Sequence, residues 1–178
     1  MRDKSLKELI LGGARSGKSR LAEERAEQSG CDVIYIATSQ PLDDAMAERV
    51  AQHRARRPAH WGLVEEPFAL GQALRCAAGE GRCVLVDCLT LWLTNLLLDP
   101  DPQRLRHERD ELVETLPALP GHIMLVSNET GLGVVPLGEL TRRYVDEAGW
   151  LHQTLAQLSD RVTFCIAGLP MTLKDAAV

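Results

Sequence analysis

LGGARSGKSR, residues 11–20, follows an apolar run and sets three glycines, two serines and a lysine close together. Gly12, Gly17, Lys18 and Ser19 fit the pattern G-x-x-x-x-G-K-[ST]. ELILG (8–12) reads as a strand, and SRLAEERAEQSG after the loop reads as an amphipathic helix with Gly30 as its C-terminal cap. A glycine-rich loop between a strand and a helix points backbone N–H groups and the positive end of the helix at one place, which suits the β-phosphate of a nucleoside triphosphate. Lys18 then bridges the β- and γ-phosphates, and the Ser19 hydroxyl ligates Mg2+. The bland alternative is a turn that holds nothing, and the flanking strand and helix argue against it.

Outward from this loop, short apolar segments rich in β-branched residues alternate with helical patterns. VIYIAT (33–38), CVLVDC (83–88), HIMLVSNE (122–129) and RVTFCIAG (161–168) read as further strands. Between them lie DDAMAERVAQHRARR, stopped by Pro58, a buried helix LTLWLTNLLL, an exposed helix RLRHERDELVETL, and a long helical segment over 136–160. Strands apolar on both faces and separated by helices predict an α/β fold, a single P-loop NTPase-like domain over 1–178 with a mostly parallel sheet and helices on both faces. Ligands of such sheets sit at the carboxyl ends of the strands.

Composition narrows the function classes. The chain has 178 residues, 45% hydrophobic and 4% aromatic, and a net charge of −5, which disfavours nucleic acid as a partner. No apolar run is long enough to span a bilayer and the first residues are mixed in charge, so the expectation is a cytoplasmic protein without membrane insertion. Cys31, Cys76, Cys83, Cys88 and Cys165 are odd in number and form no CxxC, and they read as mostly buried thiols.

Two further places carry chemistry. Asp87, ending the apolar run VLVD, has the placement of a carboxylate that reaches Mg2+, although it also suits a cap for the helix that follows. A GTPase switch would carry Asp-x-x-Gly beginning at this aspartate, but Cys88, Leu89 and Thr90 follow Asp87, and no Asn-Lys-x-Asp pattern occurs, which points to a metabolic enzyme. In DDAMAERVAQHRARRP, Arg49, His53 and Arg57 are spaced i, i+4, i+8 and share a helix face, with Arg56 beside them. Neighbouring cations favour a neutral imidazole, a nucleophile suited to phosphorus, and the arginines suit a triphosphate clamp. A basic surface face is the plainer reading of the same residues. His60 is a competing candidate, Trp61 suits the core, and Glu65 and Glu66 suit either a ligand or solvent.

GGARSGKS, YIATSQPLDDAMAERVAQHRARRPAHW, VDCLTLWLTNLL, SNETGLGVVP and the R-x-Y-x-D-x-x-G after it, in this order, resemble the bifunctional adenosylcobinamide kinase/adenosylcobinamide-phosphate guanylyltransferase family of cobalamin biosynthesis. The resemblance implies a homotrimer with sites near subunit interfaces and two successive reactions. A nucleoside triphosphate, ATP or GTP, phosphorylates adenosylcobinamide, and GMP is then transferred from GTP to the new phosphate. It places the guanylylated histidine on His53. It places nucleotide contacts on Gly12, Gly13, Ala14, Arg15, Ser16, Gly17, Lys18 and Ser19, on Thr38, Ser39 and Gln40, on Arg54, Ala55, Arg56 and Arg57, and on Glu65 and Asp87. Family members often carry Asn-Gln where this chain has His152-Gln153, and a phenylalanine where it has Tyr144, so His152 is left outside the expected site. A plain small-metabolite kinase and a nonenzymatic GTP-binding subunit are the rival readings. Because the cradle presents the γ-phosphate while guanylylation attacks the α-phosphorus, either the His53 helix moves between reactions or GTP takes a second pose.

Overall fold

In a computed structural model of the chain, residues 5–40 and 58–176 are described. Their elements are β1 (Leu6–Gly12), α1 (Lys18–Gln28), β2 (Asp32–Ala37), β3 (Gly62–Glu65), α2 (Leu70–Ala77), β4 (Arg82–Asp87), α3 (Leu89–Leu97), α4 (Arg104–Thr115), β5 (His122–Asn128), α5 (Glu139–Leu158), β6 (Arg161–Ile166) and β7 (Leu169–Asp175). The strands form one sheet in the order β3-β2-β4-β5-β1-β6-β7, parallel throughout except for β7, which runs antiparallel to β6.

Alternation along the strands builds two cores. Leu9, Leu11, Val84, Val86, Ile123 and Leu125 face one side, where Leu70 and Leu74 of α2, Trp92 and Leu96 of α3, Leu112 of α4 and Leu151 and Leu155 of α5 pack on them. Ile10, Leu85, Met124 and Val126 face the other, where Ala22 and Ala26 let α1 lie close. Helices thus cover both faces, as the doubly apolar strands require. Gly30, at φ 68°, ends α1 in the left-handed conformation that the sequence assigned to it. Trp61 is buried in the second core.

The sheet is wider than the sequence indicated. β3 has four residues and is mostly exposed, so it lacks the apolar run that marks an inner strand. β7 is exposed along most of its length, and Pro170 within it is tolerated because the strand lies on the sheet edge. The short helix α2 also went unread. Glu66 starts it, one carboxylate oxygen accepting from the N–H groups of Phe68 and Ala69 at 2.8 and 2.9 Å. That carboxylate, left open between ligand and solvent, braces the turn that leads into the helix. Cys83, Cys88 and Cys165 are buried, Cys31 is half-buried and Cys76 exposed, and all are free thiols.

Candidate active site

The cradle grows out of the centre of the sheet, where β1 lies between β5 and β6. A Cβ added at Gly12 would sit 2.4 Å from Ser16 Oγ and 2.6 Å from the carbonyl oxygen of Cys165, so no other residue fits there. Gly17, at φ 92°, turns the chain into α1 through the left-handed region. The turn between β6 and β7 braces this loop, Gly168 N–H donating to Ser16 O at 3.0 Å. Ser16 itself is buried and its Oγ has no hydrogen-bond partner within the described residues.

Lys18, the first residue of α1, is 8% exposed and folds back so that Nζ donates to Gly13 O at 3.0 Å. Burial pushes its pKa below the ordinary lysine range, against the pull of the nearby Cys88, Asp87 and Cys165. A poorly solvated ammonium with one carbonyl partner has much to gain from an anion.

Register places the other functional ends in one row. Ala37 pairs with Glu65 on one side and with Asp87 on the other, and Gly12 pairs with Asn128 and with Cys165. Asp87 Oδ2 accepts from the Tyr35 hydroxyl at 3.1 Å, which orients the carboxylate. The helix after it begins at Leu89 with Cys88 as N-cap and no side-chain cap, so Asp87 does not serve the capping role that the sequence left open. Ser19 and Asp87 offer hydroxyl and carboxylate oxygens, the donors a hard divalent cation takes, and fit Mg2+.

Side-chain hydrogen bonds that sequence reading did not foresee hold this row, one of them made by Thr38, which was expected to contact the nucleotide. The Thr38 hydroxyl donates to Cys88 O at 2.7 Å and accepts from Cys88 N–H at 3.1 Å, tying the end of β2 to the residue after Asp87. Asn95 of α3, 7% exposed, donates from Nδ2 to Thr38 O at 2.8 Å and to Pro67 O at 3.0 Å. Thr90 Oγ1 accepts from Asn128 N–H at 2.8 Å. An isolated asparagine in an apolar helix was the available signal, since a buried amide must find partners.

His152 is brought to the same end of the molecule. It is buried on α5, with Nε2 2.8 Å from Ser127 Oγ and Nδ1 3.8 Å from Glu129 Oε2. Burial lowers its pKa, with Glu129 opposing the shift. His60 is turned elsewhere, exposed, with Nε2 3.8 Å from Glu27 Oε2. Of the remaining expected residues, Gly13, Ala14 and Arg15 lie in the loop, Ser39 and Gln40 follow Thr38, and His53, Arg54, Ala55, Arg56 and Arg57 lie outside the described residues.

A phosphate cradle at the end of a central strand, with a buried lysine and a strand-end aspartate beside it, defines a nucleotide-binding domain of the P-loop class. Solved structures share that fold, among them a protein from Pyrococcus horikoshii OT3 (TM-score 0.57, 10% identity, 96% of this chain and 86% of that one). Another is the flagellar accessory protein FlaH of Methanocaldococcus jannaschii (TM-score 0.54, 13% identity, 97% and 79%). Within the class the chain belongs to the cobinamide kinase / cobinamide phosphate guanyltransferase family, which matches residues 8–173. It is 69% identical over 169 residues to the bifunctional adenosylcobalamin biosynthesis protein CobP of Pseudomonas aeruginosa, spanning 95% of this chain and 98% of that protein. It is 38% identical over 179 residues to the bifunctional protein CobU of Escherichia coli K12, spanning 93% and 98%.

Proposed function

We propose that the protein phosphorylates adenosylcobinamide with a nucleoside triphosphate and then transfers GMP from GTP to the phosphate so made, giving adenosylcobinamide-GDP and pyrophosphate. The observation that carries this is the 69% identity, over 95% of the chain, to a relative named for bifunctional adenosylcobalamin biosynthesis. The cradle geometry supplies the chemistry of the first step.

In that step the acceptor hydroxyl oxygen attacks the γ-phosphorus and the bond to the β–γ bridging oxygen breaks. The nucleoside diphosphate leaves, and the hydroxyl proton passes to water. Lys18 exchanges Gly13 O for the phosphate oxygens, and its charge opposes the charge that builds on the bridging oxygen. Ser19 and Asp87 would hold Mg2+, whose charge, when bound, neutralises the phosphate oxygens during transfer. Tyr35 and the Thr38 latch keep the Asp87 carboxylate at the strand end.

In the second step a ring nitrogen of His53 attacks the α-phosphorus of GTP. The bond to the β-phosphate breaks and pyrophosphate leaves. An oxygen of the acceptor phosphate then attacks the guanylyl phosphorus, the P–N bond breaks and His53 is regenerated. Arg54, Ala55, Arg56, Arg57, Ser39, Gln40 and Glu65 complete the nucleotide contacts in this reading.

Assembly as a homotrimer is part of the proposal. Leu169, Met171 and Leu173 of β7 are exposed, an apolar stripe along an edge strand, with Leu173 at the register shift opposite Val162/Thr163, that suits a second copy. No helix among the described residues is long and apolar enough to cross a membrane, and a cytoplasmic location fits the supply of nucleotides and the free thiols. GTP labelled separately at the α- and γ-phosphates tests the activity. The γ-label should appear on adenosylcobinamide and the α-label on protein and then on the corrinoid. Transfer of γ-label alone would leave a simple kinase, and transfer of neither a binding subunit.

A further inference from the structure

Between β5 and α5 runs TGLGVVPL (130–137), a stretch with no charged residue. Leu132, Val134, Val135 and Leu137 in it are 80%, 96%, 70% and 95% exposed. Single exposed leucines are ordinary, but a run of this kind on one loop marks a surface with an occupant.

Its root is fixed at the phosphate cradle. Glu129 N–H donates to Gly12 O at 3.1 Å, so the loop leaves the sheet beside the first residue of the cradle. The Glu129 carboxylate turns back, Oε1 accepting from Gly131 N–H at 2.5 Å, while Oε2 faces Nδ1 of His152. The other nitrogen of His152 bonds Ser127, two residues before Glu129 in the chain. A buried imidazole from α5 thus bonds the end of β5 and faces the carboxylate at the root of the loop, and the apolar side chains beyond it are exposed in the single chain.

The occupant follows from what must meet at the cradle. The triphosphate held at the cradle is a polyanion and gains little from an uncharged apolar loop. The phosphoryl acceptor has to bring its hydroxyl to the γ-phosphate from outside the cradle, and a corrinoid is a broad macrocycle with apolar ring faces and a rim of neutral amides. Leucine and valine side chains suit the ring faces, and the backbone exposed at Gly131 and Gly133 suits the amides. A second copy of the chain has the β7 stripe.

We propose that the loop 130–137 is the docking wall for the corrinoid ring of the acceptor, and that His152, through Ser127 and Glu129, holds that wall at the edge of the cradle. The proposal rests on the functional reading above. His152 is a positioning residue in it, since the groups it touches are Ser127 and Glu129.

The test combines equilibrium dialysis of adenosylcobinamide, followed by its visible absorbance, with steady-state kinetics and sedimentation. The double variant Val134→Ser/Leu137→Ser should weaken adenosylcobinamide binding about tenfold or more, the expected effect of removing two apolar contacts. KM for the nucleotide should move less than about twofold. His152→Ala should weaken corrinoid binding in the same way, and His152→Asn, which keeps an amide for Ser127, should restore it. Unchanged corrinoid affinity in the double variant would overturn the proposal. So would a loss of assembly with unchanged corrinoid affinity, which would give the loop to a second copy. Equal damage to corrinoid and nucleotide binding in both His152 variants would overturn the positioning role. Failure of the unsubstituted protein to bind adenosylcobinamide at all would refute the functional reading itself, a result distinct from the others.

Discussion

Asn95 ties the sheet to the site by one amide, and Asn95→Leu removes that amide with little change in volume. Two carbonyls lose their donor, that of Thr38 in a buried setting and that of Pro67 in a partly buried one. A buried acceptor left unpaired costs about 1–3 kcal/mol, and with Pro67 at the low end the total is about 2–4 kcal/mol. In a domain of this size each kcal/mol lowers the melting temperature by about 2–4 °C, so a fall of about 5–15 °C is expected. Function should suffer separately. The Thr38 hydroxyl bonds both backbone groups of Cys88, so a loosened Thr38 loosens Asp87 beside it. Thermal unfolding followed by circular dichroism gives the first quantity. Titration with GTP and Mg2+, well below the lowered midpoint, gives the second, where affinity should drop. An unchanged midpoint would show that these bonds carry no net stability, and a lowered midpoint with unchanged GTP affinity would show that the latch does not position Asp87.

Lys18→Met should abolish both transfers and yet not lower thermal stability at neutral pH. Burial holds the folded lysine's pKa below its ordinary value of 10.5, so the charged form costs stability until the pH rises through that interval; a large fall in melting temperature would contradict this. Arg25→Ala leaves the fully buried Glu8 carboxylate without its main partner, with His122 at 3.5 Å and Arg161 at 4.0 Å as remaining neighbours. Denaturant unfolding should show a loss of about 3 kcal/mol, the low end for breaking a buried pair, and a loss near zero would refute the assignment. His152 has a folded pKa below its ordinary value of 6.5, so the folded state binds fewer protons than the unfolded one as pH falls. Stability should decline from about that pH downward as the unfolded state takes up a proton, and His152→Asn should flatten the decline; identical pH profiles would refute it.

Much of this was legible because the signals were local. A glycine required by close approach, as at Gly12, and one required by a left-handed turn, as at Gly17, announce the cradle without knowledge of the fold. Inner strands announce themselves by being apolar on both faces. β3 and β7 did not, because an edge strand needs no continuous apolar run, and Pro170 is tolerated there for the same reason. The latch of Thr38 and Asn95 was illegible for another reason. Its members are 57 residues apart and meet because β2 and α3 pack together. His152 likewise stood outside the expected site, as a departure from the Asn common in the family, until α5 carried it against Ser127.

The central claim is that His53 carries GMP between GTP and the corrinoid phosphate. It is tested most directly by incubating the protein with Mg2+ and α-labelled GTP, denaturing it and locating the label by peptide mass. The account predicts one guanylylated peptide, modified on His53, acid-labile and base-stable, absent in His53→Ala and discharged by adenosylcobinamide phosphate. Full guanylyltransfer by His53→Ala, or no labelled peptide from an active enzyme, would contradict it.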